Sequence, residues 1–213
     1  MHWGIIGSGG HGKVVLEAIK SLYPDFQVTF FSKVLPEHSF FHPYRTMVDH
    51  EDIIKLSEHS IDSWHVAIGD IITREKKIHQ LKKQKLLTPP IFHNHSIVSP
   101  TASVNEGTLI NAGAIINASA FIGRGCIINT SASIDHDCII KDFVNIGPGC
   151  HLAGHVIVGE KSDLGIGVSA VPSVKIGKGC IIGAGSIVVE DIPDFSLAYG
   201  VPAKVIKNIE KRN

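Results

Sequence analysis

From Val98 onward the chain counts in sixes. Position 98 and every sixth residue after it, as far as 188, hold Val, Ile or Leu, with Ala170 the one exception. Four residues after each of these the side chain is small (Ala, Ser, Thr, Cys or Val), with Ile192 the one large residue. The residue directly after the aliphatic one is commonly Gly, Asn, Asp or Ser, types that suit tight corners. An α-helix repeats at about 3.6 residues and a lone strand at about 2, so neither accounts for the pattern. A hexapeptide repeat does. Each hexad makes a short strand and a corner, and three hexads close one triangular coil around inward aliphatic side chains. The span 98–193 holds sixteen hexads, a little over five coils; at ~4.8 Å between neighbouring strands the prism stands about 25 Å tall. The expected fold is a left-handed parallel β-helix over 94–213 with a short C-terminal tail, an exception to the usual right-handed crossover.

Residues 1–93 follow another pattern. "WGIIG" reads as a short strand, "SGGHG" as a glycine turn, and "KVVLEAIKSL" as a helix with apolar residues at 14, 15, 18, 19 and 22. "QVTFF" and "HVAIG" (65–69) read as further strands, the latter followed by the basic helix "TREKKIHQLKKQKL". Strands alternating with helices predict an α/β, Rossmann-like domain with a small parallel sheet. Residues 33–63 suggest a loop and a short helix. The segment 87–97, with two prolines, reads as the domain boundary, and His93 and His95 within it as structural.

Charge and composition narrow the function classes. Twenty Lys and Arg balance twenty Asp and Glu, so there is no electrostatic case for nucleic acid or an anionic membrane as the main partner. The N-terminus is not expected to be a signal peptide, and no apolar run approaches the ~20 residues of a membrane span. A soluble cytoplasmic protein acting on small molecules is expected. Cys126, Cys138, Cys150 and Cys180 all fall on the small inward position, which predicts packing rather than redox, nucleophilic or metal chemistry.

Two stretches carry candidate chemistry. Gly7, Gly9 and Gly12 match the dinucleotide fingerprint in spacing, but the second strand ends "TFFSK" without the carboxylate a nicotinamide nucleotide wants on its ribose. Glycines at a helix N-terminus still favour a phosphate; the readings are a nucleotide-linked ligand or a turn that packs helix on strand. The six Lys and Arg within 74–85 read as a solvated helix face, or Arg74 as a phosphate contact. The second stretch is "IDHDCI". His136 sits at an outward corner beside Asp137, and a carboxylate on one imidazole nitrogen fixes the tautomer and makes the other more basic. A solvated corner histidine is the alternative.

The segments "GIIGSGGHGKVV", "VAIGDIITREKKI", "NTSASIDHDCIIKDFVNIGPGCHLAG" and "YGVPAKVIK" resemble the NeuD/PglD-type sugar O- and N-acyltransferases over nearly the whole chain. The resemblance implies an acetyl-CoA-dependent transferase without a metal, a homotrimer with acetyl-CoA between neighbouring prisms. His136 would be the general base and Asp137 the residue that boosts its basicity. It further implies cosubstrate contacts at Asn145, where relatives often carry a second histidine, at Ile166 and Ala184, one coil apart, and at Lys204. Sugar-nucleotide contacts fall on Gly9, Gly10, His11 and Gly69, and on Ser32 and Lys33, where relatives usually carry acidic residues. N-acetylation of a nucleotide-linked amino sugar leads. Alternatives are O-acetylation of a sialic-acid-like sugar, a metal-dependent hydratase using His136, His151 and His155, and a non-catalytic sugar-nucleotide sensor.

Overall fold

The computed structural model describes residues 1–23, 25–33, 39–48 and 60–209, which form two compact units dividing between Ile91 and Phe92. In the front unit, β1 (His2–Ile6), α1 (Gly10–Leu22), β2 (Gln27–Ser32), β3 (Arg45–Val48), β4 (Ser63–Val66) and α2 (Ile71–Lys83) follow one another. The sheet is parallel, in the order β3-β2-β1-β4. β1, β2 and β4 are buried along most of their length, as expected of strands covered on both faces. Of the loop and short helix suggested for 33–63, a 3₁₀ turn forms among the described residues at Ser39–Phe41, and β3 is a strand that the sequence did not suggest. The rest of that expectation falls largely on 34–38 and 49–59, outside the described residues.

α1 forms where the sequence predicts it, and α2 corrects the reading of the basic run. α1 buries Gly12, Val15, Leu16 and Ile19, the i, i+3, i+4, i+7 stripe of an amphipathic helix. Val14 lies off that stripe and is exposed, and Leu22, which continues the stripe at the last residue of the helix, is exposed as well. α2, N-capped by Asp70 Oδ1 accepting from the Thr73 N–H at 2.8 Å, buries Arg74 and Lys77 with Ile71, Ile78 and Leu81. Those two cations share the inner stripe, so only the remainder of the basic run makes an outer face.

In the second unit, two-residue strands pair in parallel with partners eighteen residues on, as in Ile122↔Ile140 and Ile140↔Val158. Following the chain, a first face carries six strands, among them Ser133–Ile134 and His151–Leu152. A second carries five, including Ile139–Ile140, and a third eight, including Asn145–Ile146. The third face ends in the antiparallel hairpin Ser196–Gly200 and Ala203–Asn208. Every aliphatic position from Ile110 to Val188 is buried, with the small residues between them. This is the β-helix the six-residue period predicts.

The corner is built differently from the expectation. In fourteen successive hexads, from Gly107 to Gly185, the third residue after the aliphatic one holds a left-handed backbone, and in seven of them it is glycine. The first residue after it still belongs to the ladder: the Asp135 N–H donates to Leu152 O at 3.0 Å. Among the described residues no helix is long and apolar enough to cross a membrane.

Candidate active site

His136 lies on the corner between the first and second faces. Asp135 holds the turn, its Oδ1 accepting from the His136 N–H at 2.7 Å and from Asn117 Nδ2, one coil below, at 2.9 Å. The His136 N–H, then Asn117, keep the Asp135 carboxyl below the usual range. Asp137 adopts the left-handed corner conformation (φ 57°), and its Oδ2 lies 2.8 Å from His136 Nδ1. A carboxylate accepts, so Nδ1 carries the proton and the lone pair sits on Nε2. The bond to Asp137, helped by the charges of Asp135 and Asp137, holds the imidazole above its ordinary value. The side chain is 51% exposed. The arrangement is an accessible imidazole with one basic nitrogen, able to take a proton from an attacking amine or hydroxyl.

One neighbour, Gly154, escaped the sequence reading, and another, His155, was named there only for the hydratase alternative. A Cβ on Gly154 would meet His136 Cε1 and Nε2 at 2.6 Å, so glycine there makes room for the ring. His155 lies next to it. Its ring is 5.1 Å from that of His136, edge-on, and its Nε2 is 3.8 Å from Asp137 Oδ2. Gly154 and His155 stack one coil above His136 and Asp137, and the eighteen-residue offset taken from both positions would have found them. The histidine triple of the hydratase reading does not form: His151 Nδ1 bonds Ser133 Oγ at 2.8 Å, and the group that comes together is His136, Asp137 and His155.

The expected cosubstrate residues lie elsewhere on the prism. Ile166 and Ala184 are exposed on the corner between the third and first faces, one coil apart, with the Gly185 N–H donating to Ile166 O at 2.8 Å. Asn145 points out from the third face, stacked between Ile127 and Asp163. Lys204, in the hairpin that extends this face, has its Nζ 3.5 Å from Glu190 Oε2. The chain thus groups Asn145, Ile166, Ala184 and Lys204 around one face and its edge, and puts His136 on another edge. The four cysteines are buried. The Cys138 Sγ donates to Ala153 O at 3.1 Å, and burial pushes its thiol up to about 11. Such thiols are not nucleophiles.

In the front unit the glycine turn follows β1. Gly7 has φ +112°, and a Cβ there would strike Ala67 O at 2.6 Å; one on Gly12 would strike Gly7 O at 2.6 Å. Gly9 and Gly10, at the start of α1, face open space. Two glycines therefore close the turn and pack the helix, and the two between them leave bare backbone for a ligand. The Ser8 hydroxyl bonds Ser32 Oγ at 2.8 Å, tying the turn to the end of β2, where Lys33 is exposed. Gly69 is open, in the turn after β4. All these residues sit beyond the carboxyl ends of parallel strands, where such sheets bind ligands.

Arg74 is not a phosphate contact. It is 1% exposed and its Nη1 donates to Ile68 O and Gly69 O, both at 2.8 Å, so it braces the β4–α2 turn from within. Burial, then the Arg74 charge, lowers His11 to about 4. Burial, followed by His11 and Arg74, lowers His65 to about 3. His11 Nε2 and His65 Nδ1 are buried without a hydrogen-bond partner.

A glycine-turn sheet domain followed by a hexapeptide β-helix with a carboxylate-paired corner histidine defines a class, the two-domain hexapeptide-repeat acyltransferases. Residues 4–81 match the family described as PglD N-terminal domain. The perosamine N-acetyltransferase of Caulobacter crescentus, solved as a histidine-to-asparagine mutant with CoA and GDP-perosamine, is 35% identical, with 98% of each chain covered and a TM-score of 0.91. The acetyltransferase domain of PglB from Neisseria gonorrhoeae FA1090, solved with acetyl coenzyme A, is 31% identical, with 96% of this chain and 98% of that one covered and a TM-score of 0.89. A curated Staphylococcus aureus (strain COL) protein, SACOL2570, whose name gives acetyl transfer as a provisional activity, is 47% identical over 58 residues. That match spans 27% of this chain and only 29% of the relative's length. The chain belongs to the NeuD/PglD-type sugar acyltransferase family.

Proposed function

We propose that this protein moves an acetyl group from acetyl-CoA to the amino group of a nucleotide-linked amino sugar, with His136 as general base. The observation that carries this reading is the 2.8 Å pairing of His136 Nδ1 with Asp137 on an exposed corner, which leaves Nε2 to accept a proton. The amine nitrogen attacks the thioester carbon and its proton passes to Nε2. The C–S bond then breaks, and CoA leaves as thiolate and is protonated. Backbone N–H groups beside the thioester stabilise the tetrahedral oxyanion. No step needs a covalent enzyme intermediate, in keeping with cysteines that face inward.

One chain holds His136 and the pair Ile166 and Ala184 on different edges of its prism. A groove that joins base to thioester therefore draws its two walls from neighbouring protomers, and the working assembly in this reading is a homotrimer. The front-unit turn holds the nucleotide: the open glycines Gly9 and Gly10 and the N-terminus of α1 suit a diphosphate, and His11, Ser32, Lys33 and Gly69 line the same strand ends. The GDP-perosamine bound by the Caulobacter relative supports an amino-sugar acceptor. Asn145 can hydrogen-bond the thioester or pantetheine but cannot act as a base, so a single histidine does the proton transfer. Both substrates are cytoplasmic metabolites, and the reaction in this reading is a cytoplasmic one.

The test is CoA release with amino and hydroxyl nucleotide sugars side by side, in the native chain and in His136→Ala. Expected are turnover with the amino acceptor and a loss of about 10²–10⁴-fold in the variant, with CoA binding by calorimetry retained. Full turnover in His136→Ala refutes the base. Preference for the hydroxyl acceptor converts the reading to O-acetylation.

A further inference from the structure

His155 has no part in the mechanism above, yet the fold puts it against the base. Asp137 and His155 occupy the same corner position on successive coils, with φ 57° and 61°, and the His155 N–H donates to His136 O at 3.0 Å. The backbone therefore fixes where both side chains start. His136, Asp137 and His155 each offer one ligand atom, and these all lie within 4.8 Å of one another. Two imidazoles and a carboxylate form a borderline donor set that suits zinc, with water as a fourth ligand. Tetrahedral Zn–N and Zn–O bonds of about 2.0–2.2 Å hold donor atoms about 3.3–3.5 Å apart, so the most widely spaced donors must close by roughly an ångström and the 2.8 Å His136–Asp137 contact must open. The side chains are 51%, 46% and 60% exposed, so this asks only for rotation of surface groups. Gly154 leaves the ring space on its inner side.

We propose that His136, Asp137 and His155 form a binding site for one zinc ion, and that its occupancy switches the transferase off. A metal bound to His136 either takes the Nε2 lone pair or displaces the proton that ties Nδ1 to Asp137. In both cases the imidazole can no longer accept a proton from the acceptor amine. Mg²⁺, a hard ion that prefers oxygen ligands and keeps its waters, does not compete. The inhibitory half rests on His136 being the base; the binding half does not.

The test uses the full chain stripped with a chelator. Zn²⁺ is titrated against a chromophoric chelator in the native protein, His155→Asn and His155→Gln, with circular dichroism to verify the fold. Loss of even an outer-shell partner costs about 10–100-fold in metal affinity, so removing a ligand should weaken binding at least about tenfold in both variants. In the transfer assay each protein is compared with its own metal-free rate. The native rate should fall at least about tenfold with saturating Zn²⁺ and return with EDTA, and the variants should need correspondingly more metal. Equal zinc affinity in the native chain and the folded variants overturns the site. Zinc binding that weakens as expected in the variants but leaves native turnover unchanged overturns the switch. If zinc binds through His155 in a chain that transfers acetyl to no acceptor, the metal site stands and the reading of His136 falls.

Discussion

The two units solve the problem of burial in opposite ways. The β-helix fills its interior with one repeated pair of aliphatic and small side chains, and most of the hydroxyls that do go inside are satisfied by a backbone carbonyl, while Asn111 Oδ1 is left without a partner. Thr108 and Ser162, for example, donate to the carbonyls of Gly123 and Gly177 at 2.7 Å. The front unit instead buries an arginine and two imidazoles together, and two imidazole nitrogens stay unpaired. One unit spends its sequence on a uniform stack. The other carries charge beneath its strand-end turns, where Arg74 braces the β4–α2 turn and burial, with help from the Arg74 charge, keeps His11 and His65 neutral. The lesson is that the front unit should be the fragile one, and fragile toward acid in particular.

Acidification should separate the two most strongly. His11 and His65 titrate near 4 and 3 when folded, against 6.5 when unfolded. The unfolded chain thus binds more protons below pH 6.5. The stability conferred by the neutral rings is complete above that pH and drains away as pH falls toward 4 and then 3. The loss is roughly 3 kcal/mol for His11 and at least as much for His65. Both tryptophans of the chain, Trp3 and Trp64, are buried in the front unit, so their fluorescence reports that unit alone. Its urea midpoint should drop steeply between pH 7 and pH 5 while the far-ultraviolet signal of the β-helix holds. Coincident loss of both signals would erase the contrast.

A core truncation should weaken the other side of the comparison. Ile146→Ala removes a fully buried side chain from the prism and should cost about 2–5 kcal/mol, read as a shift in the denaturation midpoint of the far-ultraviolet signal. Smaller still in energy, Gly154→Ala puts a methyl 2.6 Å from the His136 ring. Its backbone is not left-handed, so stability should change by less than about 1 kcal/mol, while a displaced base lowers kcat by about 10–100-fold. The mildest change is Asp137→Asn. Losing the carboxylate removes the main cause that raises His136. Activity needs the neutral ring, so the acid limb of the pH–rate profile should move to lower pH with the fold intact; an unmoved limb would mean Asp137 does not tune the base.

The same contrast decides what could be read from the residues alone. The period of six specifies the prism, its inward cysteines and the pairing at eighteen, because each position repeats the same environment. The His136–Asp137 pair was legible because its members are adjacent. His155 was legible only as a residue out of step with His136, because it stacks on Asp137 one coil below, and Gly154 carries no side chain to draw notice. In the front unit, periodicity could not tell that Arg74 and Lys77 fall on the buried stripe of α2, since cations on a helix ordinarily face water. β3 was missed because "RTMV" is short and partly polar. The left-handed corner residues escaped because half of them are Ser, Asp, His, Lys or Phe, of which only Asp and His lean toward that backbone.

The eighteen-residue stacking has a further consequence for how this chain can change. Adding or removing one whole storey leaves every remaining side chain above an equivalent neighbour, so the tower can grow or shrink without a seam. Deleting a single residue puts every later aliphatic one step out of phase, and turns the interior of all the storeys that follow toward water.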